Sequence, residues 1–241
     1  MGICQNAPME NPLRGISSMA TRQLLAELAA AWRVASGAEV AIESVGGVDA
    51  AKRVSAGEAF DVVILAADAI DKLVAGGSVL AGSRVDLVRS AVAIAVRAGA
   101  AAPDLSTEAA LRAAVLGATR IGYSTGPSGT ALLNLFERWG IAEQLRESIV
   151  QAPAGVPVAQ LVAEGRVELG FQQLSEMLAA SGIRVVGSMP SGAEIVTTFS
   201  GGICAASARP EAVRALLAFM NSPATADIKR RHGMEPALEP S

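Results

Sequence analysis

The residues of this chain best placed to do chemistry form one run, Gly122-Tyr123-Ser124-Thr125-Gly126-Pro127-Ser128-Gly129-Thr130. An apolar helical stripe follows it at once: Leu132, Leu135, Phe136 and Trp139, spaced i, i+3, i+4, i+7. A loop of small residues that opens a helix turns hydroxyls and backbone N–H groups outward at the positive helix end, which suits an anion. Ser128, Gly129 and Thr130 are the candidates here; a plain helix cap needs fewer such residues. Tyr123, the only tyrosine, either lines the same site or belongs to the core.

Other candidates carry two readings each. Ser17 and Ser18 stand between a strand and a helix, so one caps the helix and one is free to meet a ligand. Arg89 and Ser90 interrupt an apolar, strand-like stretch. The Arg89 guanidinium is either an edge group reaching solvent or a two-pronged clamp for a ligand carboxylate. Gln172 and Gln173 end a buried strand and would point oppositely if extended, one to a cleft and one to the scaffold. Of Thr197 and Thr198, strand propensity explains one, and Thr198 is the candidate for the ligand. His232, in Arg230-Arg231-His232-Gly233, has the composition of a helix end and not of a general base. Asp61 and Asp68 flank an apolar strand and read as capping or packing groups.

Composition narrows the function classes. The 241 residues suffice for one large domain or two smaller lobes. Hydrophobic residues are 51% and aromatics 3%, so the core must be built from Ala, Val, Leu and Ile. A net charge of −3 argues against nucleic acid or an anionic membrane as partner. Cys4 and Cys204 are too isolated for a zinc motif or a disulfide framework, and two free thiols are expected. No metal set and no cofactor motif can be assembled. No apolar run approaches the ~20 residues of a membrane span, so no membrane insertion is expected. Residues 1–10 lack a basic and an apolar region, which predicts a cytoplasmic protein as it stands, or a periplasmic one after loss of a leader.

The elements that must hold these residues alternate. Strands are predicted over 13–17, 40–45 and 60–65, the last a continuous apolar run suited to burial on both faces. Helices fall over 21–35, closed by Gly37, and over 48–56, stopped by Gly57. A long β-branched stretch covers 85–96, then a helix 107–116, a strand 120–123 and the helix behind the hydroxyl run. A short helix over 158–163 and strands over 167–171 and 183–186 come next. A second long stretch covers 194–205, and helices over 210–220 and 224–231 close the chain. This predicts a two-lobed α/β protein, each lobe a mainly parallel sheet flanked by helices, with two crossover strands joining them. Lobe one would take 1–88 and 195–241, lobe two 89–194, with the ligand in the cleft and closure by hinge.

Several segments, taken in order, carry a resemblance: Ser17-Ser18-Met19-Ala20; Val45-Gly46-Gly47; Ala56-Gly57-Glu58-Ala59-Phe60-Asp61-Val62; Pro127-Ser128-Gly129; Ala159-Gln160-Leu161-Val162 with Gly165; and Gly170-Phe171 with Ser175-Glu176. Across 13–235 the chain resembles the type II periplasmic binding proteins, and within them the molybdate-binding protein family. That resemblance implies an oxyanion gripped by hydroxyls and backbone N–H groups at helix starts, with an ABC permease as partner only for an exported form. Ser18 takes the place of the first-loop serine. The second-loop serine falls on Gly47 or Val48, so that hydroxyl is lost. The loop before Val158 still offers N–H groups, although Pro157 removes one. Gln173 replaces a tyrosine that often follows the Gly-Phe strand.

Tyr123-Ser-Thr-Gly-Pro-Ser-Gly129, Gly170-Phe-Gln-Gln-Leu-Ser-Glu176 and Thr197-Thr-Phe-Ser200 are more similar to the aconitate isomerases, which share the scaffold. The first expectation is a binding protein for a small oxygen-rich anion, a di- or tricarboxylate ahead of a tetrahedral oxyanion. The alternative is an isomerase that shifts a double bond in a tricarboxylate by proton abstraction. It needs a base, and a serine, Tyr123 or Glu176 would have to serve.

Overall fold

The computed structural model of the chain describes residues 11–237, so the expectations for residues 1–10, including Cys4, lie outside the described residues. β1 (Leu13–Ser18) runs through a 3-10 turn (Met19–Thr21) into α1 (Arg22–Ser36). β2 (Val40–Val45), α2 (Gly47–Ser55), β3 (Val62–Ala66) and α3 (Ala67–Ala75) follow. Next come the 13-residue β4 (Val85–Arg97), α4 (Glu108–Gly117), β5 (Ile121–Tyr123), α5 (Pro127–Arg138) and α6 (Ala142–Leu145). They lead to β6 (Ile149–Gln151), α7 (Val158–Ala163), β7 (Leu169–Gln173), α8 (Leu174–Met177) and β8 (Ile183–Ser188). β9 (Val196–Ile203), α9 (Pro210–Met220), a 3-10 turn (Pro223–Thr225), α10 (Ala226–Arg231) and β10 (Met234–Pro236) complete the chain.

The strands form one curled sheet in the order β2-β1-β3-β9-β4-β7-β5-β6, with β8 and β10 also on β4. The expected parallel character holds for two triplets only. β1 is parallel to β2 and β3, and β5 to β6 and β7. Every pairing of β4 and β9 is antiparallel, so the sheet is mixed. β4 serves both ends. Residues 85–91 pair with β9, and 92–97 pair with β7 and β8.

The fully buried strand expected near residue 60 is β3. Val62 and Ile64 join the core under α1, while Val63 and Leu65 join the core under α2 and α3. This is the period-2 alternation of a strand covered on both faces. α1 contributes Leu24, Leu25 and Leu28 and stops at Gly37, whose φ of 75° no side chain tolerates well. In the second half, Ile121, Leu132, Phe136 and Phe171 pack together, with the Phe136 and Phe171 rings edge to face at 6.4 Å.

Two glycines place α7. Gly122 on β5 and Gly170 on β7 are register partners. A Cβ on Gly122 would sit 3.0 Å from Val158 and Val167, and one on Gly170 would run into Val162. The bare patch lets α7 lie close on the sheet and brings its first turn to the strand ends. Among the described residues no helix is long and apolar enough to cross a membrane.

Candidate functional site

A crevice of about 840 Å³ opens between the two strand triplets, and Ser18 and Ser128 both line it. Its walls are mostly helix starts. The Ncap residues of α2, α3, α5, α7 and α8 are Gly46, Ala66, Gly126, Pro157 and Gln173, and none makes a side-chain cap. α4 is the one α-helix among the described residues with a side-chain cap, Thr107 Oγ1 accepting from the Ala110 N–H at 3.1 Å, so what marks the crevice is that several uncapped starts meet there. The crevice helices therefore keep first-turn N–H groups available, where the helix ends carry partial positive charge.

Detail differs at each start. In α5, Pro127 has no N–H, and Gly129 and Thr130 both donate to the Gly126 carbonyl, at 3.0 and 3.2 Å. The Ser128 N–H is left as the outward donor. The Ser128 hydroxyl lies 3.0 Å from that of Ser124. In α7 the Ala159 N–H donates to Gln172 Oε1 at 3.1 Å, leaving the Val158 N–H at the first turn. Ser18 is 8% exposed, and among the described residues its Oγ has no hydrogen-bond partner. A ligand acceptor would satisfy it.

Of the residues read from the sequence, the crevice brings together Ser18, Gly47, Ser128, Thr130, Gln172 and Gln173. The others lie elsewhere. Ser17 is fully buried and turned to Ser44, hydroxyl to hydroxyl at 2.8 Å. Arg89 is exposed on β4, in register with Thr198 and with Glu235, so no clamp reaches the crevice. The neighbouring Ser90 is wholly buried opposite Thr197. Thr198 falls on the Arg89 side, and Thr197, which does not line the crevice either, is buried behind it and accepts from the lining residue Gln173 through Nε2 at 2.8 Å. Tyr123 packs in the core with Phe136 and Phe171. Gly129 is needed for packing, since a Cβ there would overlap the Ser124 carbonyl oxygen. Val158 buries its side chain against Gly122 and Gly170, so only its N–H faces outward. Gln172 and Gln173 both line the crevice instead of diverging, because β7 turns directly into α8.

Sequence reasoning missed α3 altogether, and with it Lys72; Asp68, read as a capping or packing group, lies in the first turn of α3 and lines the crevice with Lys72 and Lys52. The signal was the Ile70–Leu73 step behind an acidic first turn, but no turn residue separates β3 from α3. It also left Asn134 on α5 and Phe199 on β9 unremarked as lining residues. Glu176, named only as one conceivable base, lines the crevice and is partly buried. Burial pushes its carboxyl up to about 7, with the Gln172 amide pulling the other way. His232 caps α10, 2.7 Å from Glu27, and lines no part of the crevice. Asp61 holds the Arg14 N–H, Ser207 and Arg209 together, a packing group as expected. Among the described residues there is no cluster of His, Cys, Asp and Glu able to hold a metal ion.

A cleft between two α/β halves, walled by uncapped helix starts, is the architecture of the type II periplasmic binding proteins. Residues 13–235 match the family described as bacterial extracellular solute-binding protein, and the chain belongs to that family. Among curated proteins, an aconitate isomerase from Pseudomonas sp is 38% identical over 227 residues, covering 92% of this chain and 86% of that protein. Among solved structures, the Azotobacter vinelandii periplasmic molybdate-binding protein aligns with a TM-score of 0.77 at 21% identity, covering 95% of this chain and 100% of that one. A sulfate-binding protein from Mycobacterium tuberculosis aligns with a TM-score of 0.77 at 16% identity, covering 95% and 88%. These structural likenesses show the fold.

Proposed function

We propose that the crevice binds a small organic acid with two or three carboxylates, and that the chain shifts a double bond in it as an isomerase of the aconitate type. The observation that carries the binding reading is the set of uncapped starts of α2, α3 and α5 around one cavity. Separate N–H clusters suit separate carboxylates better than one compact oxyanion. A volume of about 840 Å³ falls in the range of pockets for small organic ligands. Gly47 or Val48 stands where the molybdate-binding resemblance calls for a serine, and either loss weakens the grip on a tetrahedral oxyanion. The 38%-identical relative, matched over most of both chains, supports conversion over simple carriage. Closure of the two halves about β4, with lobe boundaries near 88 and 195, would exclude water and strengthen every contact to the ligand. A membrane permease enters this reading only for an exported form.

The test is a thermal-shift series with trans-aconitate, citrate, molybdate and sulfate, followed by proton NMR of trans-aconitate with the protein in D2O. A ligand at 100 times its Kd adds about 2.7 kcal/mol of stability. Stabilisation by the tricarboxylates, together with the appearance of cis-aconitate, is the expected result. A shift with molybdate alone overturns the ligand class.

A further inference from the structure

A crevice built to attract anions carries a carboxyl group in its own wall. Glu176 sits in α8, directly beyond the end of β7, and α8 packs against β4, β7 and the 3-10 turn at Met19–Thr21. Ser175 Oγ donates to the Ala20 carbonyl at 2.9 Å, so α8 is pinned beside the loop that carries Ser18. Among the described residues no Lys, Arg or His nitrogen lies within 4.0 Å of the Glu176 carboxyl. A structural carboxylate at such a place would ordinarily be paired with a cation.

The polar neighbour it does have is held in one orientation. Gln172 Oε1 is occupied by the Ala159 N–H, so the Gln172 Nε2 is the end left to donate to Glu176. Other charges are distant or engaged. β7 and the 3-10 turn carry no titratable side chain, and on β4 Asp86 is held by Arg84 and Ser200 while Arg89 and Arg97 are exposed. His232, next to the Gly233 that abuts Leu174 and Leu178, is tied to Glu27. Lys52, Asp68 and Lys72 line the crevice from α2 and α3 with exposed side chains.

We propose that Glu176 is the group that moves the proton. Its carboxylate takes a hydrogen from the ligand carbon that lies between the double bond and a carboxylate. The C–H electron pair passes into an enolate-like anion over that carboxylate and the three-carbon unit, held by the first-turn N–H groups. The protonated Glu176 then returns the hydrogen to the far carbon. The double bond has moved by one position, and no oxidant, reductant or second substrate is consumed. A carboxyl titrating near neutral pH is matched to both halves of this cycle.

This inference rests on the isomerase reading, and its experiment separates the two. Wild type, Glu176→Gln and Glu176→Asp are compared for trans-aconitate binding by calorimetry and for conversion of trans- to cis-aconitate by proton NMR. The expected result is a loss of conversion of about 10²-fold or more in Glu176→Gln. Glu176→Asp keeps part of the rate, and the Gln variant binds trans-aconitate as tightly as wild type or more tightly. In wild type the rate rises with pH as one group ionises near neutrality. Melting curves of the variants report folding independently. Conversion by Glu176→Gln within about threefold of wild type overturns this inference and leaves the isomerase reading standing. Wild type that binds trans-aconitate without forming the cis isomer overturns both.

Discussion

Ser18 and Gly47 stand side by side at two starts in the crevice, and only one of them carries a hydroxyl. A Cβ on Gly47 would lie 3.6 Å from that of Ser18, an ordinary contact, so a side chain fits. Gly47→Ser would set a second alcohol beside the first. One added hydrogen bond is worth about 0.5–1.5 kcal/mol, or roughly 2- to 10-fold in affinity, and molybdate is expected to gain that much by calorimetry. Glu176 permits a second prediction at this scale. Its carboxyl is raised from an ordinary 4.5 to about 7 in the folded chain. Below pH 4.5 both folded and unfolded forms are protonated and burial costs nothing through ionisation. As pH rises toward 7 the unfolded chain sheds the proton first, so stability falls, and above 7 the full penalty applies. Glu176→Gln should therefore melt like wild type at pH 4 and be more stable at pH 8, by up to about 3 kcal/mol. Equal melting at both pH values would show that the carboxyl is not perturbed. Residue types were legible in the sequence, but facing was not. Of the two readings of Arg89, the solvent-reaching edge group holds and the clamp does not, because no residue of β4 lines the crevice. Thr197 and Thr198 alternate on β9, and Thr197 is the one that reaches a lining residue, Gln173.

At the scale of elements, α7, α9 and β2 fall where their apolar spacing put them, because each carries a clear period between turn residues. α3 went unseen because strand and helix meet at Ala66 with no glycine, proline or capping residue to mark the change. β6 and β10 are three residues each, too short for any period to show. Of the glycine pair under α7, Gly122 was quoted as the start of the hydroxyl run and Gly170 as part of a resemblance, yet together they have a mechanical purpose. Gly170→Ala would press a methyl into Val162 and lift the helix from the sheet. Overpacking of this kind costs about 1–3 kcal/mol, and the expected outcome is a lower melting point. Ligand affinity should fall with it, since α7 holds the Gln172 amide through the Ala159 N–H. A variant that loses stability but binds trans-aconitate unchanged would place α7 outside the binding wall.

At the scale of the whole molecule, two side-chain bonds among the described residues cross from one half to the other: Gln173 to Thr197 and Ser175 to the Ala20 carbonyl. β4 carries the main chain through both halves. The alternating pattern of strands and helices made the two-part α/β design readable from the sequence, because each unit signals its own period. The mixed pairing was not readable, because strand direction depends on where the chain returns, and that is a property of contacts distant in sequence.

The place of β9, slotted between β3 and β4, has a consequence for how the polypeptide is made. On the ribosome, β3 and β4 emerge more than a hundred residues before the strand that must separate them. In the later half, β5, β6, β7 and β8 find all their strand pairings within the contiguous segment from about 92 to 188. Synthesis therefore completes the second half while the first still offers bare, apolar strand margins to any passing chain. Nascent protein stalled short of residue 196 is expected to bind chaperones and to aggregate, and the last fifth of translation is what supplies the missing strand.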